Sequence, residues 1–149
     1  VGGMLAKKKS KKTSMITVEV FVHAPIEVVW ASWTDPRHIV KWAFAQSDWE
    51  APNAENDLRV GGKFKTRMQS KDGSQGFDFE GVYTAVEEHA LIEYDMSDGR
   101  HVKATFTPEG EGVKIVQPFD PEHENPEEMQ RAGWQAILDN FKKYTEGLA

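Results

Sequence analysis

The sequence predicts an α+β domain: a curved antiparallel sheet of about six to seven strands wrapped on one long C-terminal helix, with two short helices after the first strand. Two observations carry this expectation. Between residues 61 and 119, apolar and polar residues alternate in segments separated by short turns rich in Gly, Asp and Ser, as in an antiparallel meander. After Asn125-Pro126 the period changes, and Trp134, Ile137, Leu138 and Phe141 stand at i, i+3, i+4 and i+7 of an amphipathic helix. A chain of 149 residues suits one domain, and no internal repeat or linker interrupts it after residue 15.

Ordered structure is expected from Met15. Ile16, Val18, Val20 and Val22 alternate with Thr17, Glu19 and Phe21, the period-two pattern of a half-buried strand. Pro25 presets φ and gives up no needed N–H at a helix start, so a short helix follows, with Val29, Trp30 and Trp33 as its buried stripe. Thr34-Asp35-Pro36 breaks it and starts a second short helix, expected to reach about Trp42. Residues 51–57 read as polar, irregular chain.

The meander begins beyond Gly61. Phe64, Thr66 and Met68 share one face, with Lys63, Lys65, Arg67 and Gln69 on the other. Lys71-Asp72-Gly73-Ser74 turns the chain into residues 76–86, where Phe77, Phe79, Gly81 and Tyr83 share a face. Glu87-Glu88-His89 leads to Ile92, Tyr94 and Met96, and Ser97-Asp98-Gly99 is a hairpin signal before Val102, Ala104 and Phe106. A last turn over residues 109–112 precedes Val113, Ile115, Gln117 and Phe119. The final helix should run to about Tyr144 or Glu146, with Gln130, Gln135, Asp139 and Lys142 as polar flanks and Gly147 ending it.

Composition excludes several function classes. Five Trp, eight Phe and three Tyr among 39% hydrophobic residues make a globular chain rather than a disordered one. Nowhere do 18 apolar residues run together, so no membrane-inserting helix is expected. Lys7, Lys8, Lys9, Lys11 and Lys12 hold five of the eighteen basic residues. The remainder carries thirteen basic against twenty-four acidic residues, a balance of −11 that repels phosphate backbones and argues against nucleic-acid binding. Residues 1–14 are therefore expected to be a disordered basic tail, and 15–149 the folded domain. Deleting residues 1–12 should leave fold and guest binding intact. No apolar segment of secretory type follows the lysines, and the default location is cytoplasmic.

Motifs for chemistry are thin. Without cysteine there is no disulfide, thiolate metal site or Cys nucleophile. The histidines His23, His38, His89, His101 and His123 show no metal-ligand spacing. Asp120, Glu122, His123 and Glu124 read as solvated surface. No Gly-x-Ser-x-Gly elbow is present, and Gly61-Gly62 lacks the phosphate-loop pattern, so it reads as a bend where the chain enters the sheet. No metal or cofactor is called for.

A helix laid across a curved sheet leaves either a cavity or a core filled by large side chains. Trp134, Ile137, Leu138 and Phe141 would form the lid of such a cavity, facing Phe64, Phe79, Tyr94 and Phe106. Trp42 is placed at its mouth, and Trp49 is a lid residue or a rim plug. Gln117 shares the face of Val113, Ile115 and Phe119, so it either points into the cavity or pairs with backbone at the sheet rim. The Tyr94 hydroxyl either reaches the cavity or is core. Alternation sends Asp78, Glu80 and His101 outward. The candidate ligand-binding residues are thus Trp42, Phe64, Phe79, Tyr94, Phe106, Gln117, Trp134, Leu138 and Phe141.

The order of elements, with Ala24-Pro25-Ile26-Glu27-Val28-Val29-Trp30, Trp42 after Asp35-Pro36, Val60-Gly61-Gly62-Lys63-Phe64, the Gly81 strand and Gly133-Trp134-Gln135-Ala136-Ile137-Leu138-Asp139-Asn140-Phe141, resembles the helix-grip superfamily of START-like proteins (SRPBCC). Within it, the chain is similar to the bacterial branch related to the heat-shock-protein-90 ATPase activator. The resemblance spans residues 15 to 146. It implies a deep cavity between the last helix and the sheet, with small lipophilic molecules as guests. Three classes of function follow: binding of such a guest, a cyclase- or aromatase-type enzyme using the cavity, and a protein-interaction or co-chaperone-like module with a protein partner or homodimer. The lack of a catalytic set favours the first.

Overall fold

Alternating branched residues at the start of the chain make β1 (Ile16–Val22), whose Ile16, Val18 and Val22 are buried, in a computed structural model that describes residues 14–149. Of the expected basic tail, all but Ser14 lies outside the described residues. Pro25 takes the N-cap position of α1 (Ile26–Thr34), which buries Val29 and Trp30. The Asp35 carboxylate accepts the Arg37 backbone N–H at 2.9 Å and opens α2 (Pro36–Ile39). This helix is shorter than expected. Turn-type bonds, Lys41 N–H to His38 and Trp42 N–H to Ile39, carry the chain on to Trp42.

A short strand, β2 (Trp49–Glu50), precedes the stretch 51–57 expected to be irregular, and a second, β3 (Ala54–Asn56), lies within it. Both pair with β4 (Lys63–Ser70), with Ala54 opposite Thr66 and Asn56 opposite Phe64. Their own residues carry no strand pattern; the free edge of β4 supplies it. β5 (Gly76–Glu87), β6 (Leu91–Met96), β7 (His101–Glu109) and β8 (Gly112–Phe119) complete the meander. The antiparallel sheet has the order β1-β8-β7-β6-β5-β4-β2, with β3 alongside β4. A register shift between Tyr83 and Ala85 interrupts the β5–β6 pairing. Gly61 enters β4 at φ +86°, a left-handed bend that suits glycine.

The last helix, α3 (Glu127–Glu146), buries Leu138 and Phe141 and follows Pro126 as its N-cap residue. Phe141 packs edge-on against Trp33 and Trp42, with ring centroids 5.0 and 4.9 Å away. Trp30 and Trp33 in turn meet Phe106 at 5.3 and 5.2 Å, so α1, β7 and α3 share one aromatic core. Two of the expected polar flanks of α3, Gln135 and Lys142, join Arg131 in reaching the first strand. The Arg131, Gln135 and Lys142 side chains donate to the Thr17, Glu19 and Phe21 carbonyls at 3.1, 3.0 and 2.6 Å, along the outer edge of β1.

Candidate functional site: a cavity between the last helix and the sheet

A strand pattern that points Phe64, Thr66 and Met68 inward, opposite the Trp134–Ile137–Leu138 stripe of α3, leaves space where the helix does not touch the sheet. That space is a cavity of about 360 Å³, within the size range of small-molecule sites. Trp42, Phe64, Phe79, Tyr94, Gln117, Trp134 and Leu138 all line it. Phe106 and Phe141 do not. Both are buried one layer deeper, in the aromatic core around Trp33, because their rings meet α1 rather than open space.

Two placements differ from expectation. Trp42 is expected at the mouth, yet it is only 7% exposed, and its indole N–H donates to the Ser32 carbonyl at 2.9 Å. Trp134, expected on the apolar lid stripe of the helix, is only half-buried. One face lies against Phe119 and its edge meets Phe79 at 6.0 Å, while the cavity opens beside it. Trp49 does not line the cavity; it sits near Phe77, 6.2 Å between centroids, and Phe77 is the 49% exposed residue on the wall.

Other wall residues follow the same faces. Thr66 and Met68 continue the Phe64 face, Tyr83 continues the Phe79 face, Ile92 and Met96 flank Tyr94, and Ile137 belongs to the helix stripe. The alternation already grouped them, so reading whole faces rather than single aromatics would have found them. Asn56 had no such signal. Its carboxamide accepts from the Tyr83 hydroxyl and donates to the Thr34 carbonyl at 2.7 Å, tying β3 to β5 and α1.

The polar character of the wall is uneven. Inside lie the hydroxyls of Thr66 and Tyr94 and the Gln117 carboxamide, all on buried residues. Burial pushes the Tyr94 phenol far above its usual range, repulsion between the two phenolates it and Tyr83 would form adds to this, and Arg100 only partly offsets it. Tyr94 therefore remains a protonated hydroxyl. The Tyr83 phenol is also raised by burial, opposed by its bond with Asn56. Of the charged wall residues, Glu55, Asp78 and Asp98 are exposed, which places them at the rim, whereas Arg100 and Glu80, the latter expected to point outward, are half-buried. Asp78 faces outward toward Lys65 and Arg67 at 3.9 and 3.6 Å, and Asp98 accepts the Arg100 Nε–H at 2.9 Å.

His101 lies outside the cavity, as alternation indicates. Its Nδ1 is 2.7 Å from Asp95 and its Nε2 2.8 Å from Glu93. The hydrogen bond with Asp95 raises its pKa, burial opposes the rise, and Glu93 adds to it. Among the described residues no cluster of three or more His, Asp or Glu is arranged to hold a metal ion, and no helix is long and apolar enough to cross a membrane.

The profile of the family described as Activator of Hsp90 ATPase homolog 1-like protein matches residues 23–146. The chain belongs to that family. The AHSA1-like protein from Aeromonas hydrophila, solved in solution, is 43% identical, with a TM-score of 0.86 over 91% of this chain and 94% of its own. A protein from Cytophaga hutchinsonii, also solved in solution, is 54% identical, with a TM-score of 0.77 over 90% and 93%. A crystal structure from Nitrosomonas europaea, 20% identical with a TM-score of 0.77 over 91% and 96%, shares the fold. No curated protein matches the chain. The family places the cavity in a START-like architecture; the name of the family assigns no activity to it.

Proposed function

We propose that this AHSA1-like domain binds one small lipophilic molecule in the cavity between α3 and the sheet. The observation that carries the reading is the wall itself. A space of about 360 Å³ is lined mostly by aromatic and aliphatic side chains, with a few uncharged polar groups on buried residues and charged groups on the more exposed ones. Trp42, Phe64, Phe79, Tyr94, Gln117, Trp134 and Leu138 are the proposed contacts, with Phe106 and Phe141 supporting them from the layer behind. Burial of apolar guest surface against this wall supplies the driving force. A carrier or sequestering role fits better than catalysis: the inner polar groups are hydroxyls and an amide, and the nearby imidazole of His101 lies on the outer face.

The test is an amide-resolved NMR titration of the full chain with lipids, flavonoids and aromatic polyketides. Saturable shifts confined to α3 and the inner faces of β4 to β8 are expected, with the guest recovered unchanged. Shifts scattered over the surface, or none with any compound, would overturn the reading and turn attention to a protein partner.

A further inference from the structure

We propose that the cavity selects an uncharged aromatic guest bearing a hydroxyl or ring carbonyl, and that Gln117 determines this preference by hydrogen-bonding that group. The inference rests on the small-molecule reading above and narrows it. It starts from a contrast between two buried glutamines. Gln130 is 8% exposed and fully engaged: its Oε1 accepts the Glu122 N–H at 2.9 Å, and its Nε2 donates to the Glu122 and Asn125 carbonyls at 3.1 and 2.8 Å. Gln117 is 6% exposed, yet its carboxamide makes no hydrogen bond to any described residue, and it faces the cavity. Unlike the sealed Ser32 and Thr145 hydroxyls, the Gln117 carboxamide is reachable from the cavity, so a partner for it can come from there. Position explains why the backbone does not satisfy it. Gln117 sits inside the sheet, opposite Val18 of β1, where the neighbouring backbone groups are already used in the ladder.

A carboxamide both donates and accepts, so it matches either a hydroxyl or a carbonyl on a guest. The Tyr94 and Thr66 hydroxyls extend the same neutral polar surface. The rest of the wall is aromatic on both sides, with Phe64, Phe79 and Tyr94 from the sheet and Trp42 and Trp134 from the helical layer. Flat rings fit such walls through offset and edge contacts. A carboxylate fits poorly. Arg100 is the basic residue of the wall among the described residues, and it is already engaged by Asp98 at the rim. A carboxylate carried inward would lose its water without gaining a buried cation.

Three guests of similar shape, naphthol, naphthalene and naphthoate, separate these terms. Their affinities for the full chain and for Gln117→Leu are measured by tryptophan fluorescence quenching at neutral pH, with NMR shifts locating the bound ring. Naphthol is expected to bind the unsubstituted chain about tenfold more tightly than naphthalene, the scale of one buried neutral hydrogen bond. In Gln117→Leu that gap should close, and naphthoate should bind weakest to both. A gap that is absent, or that survives Gln117→Leu, would overturn the role of Gln117 while leaving the cavity reading intact. Tightest binding of naphthoate would overturn the preference for an uncharged guest and assign the head group to Arg100. If none of the three shifts the cavity residues, this inference falls, while the small-molecule reading is decided by the wider titration above. Should Gln117→Leu not fold, Gln117→Met and the three-guest comparison in the unsubstituted chain decide.

Discussion

The Trp134 indole lies flat on the Phe119 ring, with centroids 4.0 Å apart and planes 8° from parallel, so one stacked pair joins the middle of α3 to the end of β8. The same indole forms part of the cavity wall. Removing it therefore loosens the helix and enlarges the site together. Trp134→Ala should destabilise the fold by about 3 kcal/mol, the low end for a large aromatic because the side chain is half-buried. Trp134→Phe should recover about half of that loss by keeping a ring on Phe119. Denaturant unfolding measures both, and an unchanged midpoint for Trp134→Ala would show that the pair does not seat the helix.

Gly81 and Gly133 should respond to alanine with opposite signs. A Cβ on Gly81 would stand 2.5 Å from the Asp95 carbonyl and 2.9 Å from the Phe64 ring, which borders the cavity. The ring and the β5–β6 pair would have to move, so Gly81→Ala should cost about 1–3 kcal/mol and displace Phe64. Gly133 lies inside α3, and a methyl group there would meet nothing within 4 Å. Alanine at that position relieves the helix of glycine's conformational entropy, and Gly133→Ala should add about 1 kcal/mol. Thermal melting of the two variants tests the pair; equal shifts would contradict the contrast in local space.

Most of the fold was legible because long periodic segments state their own geometry. The strands from β4 to β8 and the stripe of α3 declared their inner faces, and those faces, with Trp42, contain seven of the nine proposed contacts on the cavity wall. Phe106 and Phe141 were misplaced because alternation gives a direction, not a depth. Whether an inward ring meets a void or another ring depends on α1, whose Trp33 fills the space in front of both. β3 was illegible for a different reason: its pairing belongs to the edge of β4, and no pattern in residues 54–56 announces it. The missing partner of Gln117 likewise required the neighbouring strands to be in place.

His101 should make stability depend on pH. Its pKa is raised in the folded state by the hydrogen bond with Asp95 and, after the opposing effect of burial, by Glu93. A raised folded-state value means the stabilisation is fully present below the unfolded value near 6.5 and is lost as pH rises through the folded value. Melting temperatures of the unsubstituted chain should therefore fall relative to those of His101→Gln between about pH 6 and pH 8.5. Parallel curves for the two proteins would rule out the clasp.

A final expectation concerns the outer edge of β1. Strand edges with free carbonyls invite pairing with other chains. Here the Thr17, Glu19 and Phe21 carbonyls each accept a side-chain N–H from Arg131, Gln135 or Lys142, and the Glu146 carboxylate accepts the His23 N–H at 2.8 Å. Lys142 also pairs with Glu146 at 2.7 Å, so one helical turn of α3 closes the end of the edge. Because successive odd-numbered carbonyls point the same way, helical side chains set four and seven residues apart can follow them. These contacts are partly exposed, and each should contribute only about 0.5–1 kcal/mol to stability. Their larger effect should be on association. Gln135→Ala combined with Lys142→Ala bares two of the three carbonyls and should shift the sedimentation profile toward larger species as concentration rises, with little change in melting. A profile matching that of the unsubstituted chain at every concentration would mean that packing of α3, rather than its polar side chains, guards the edge.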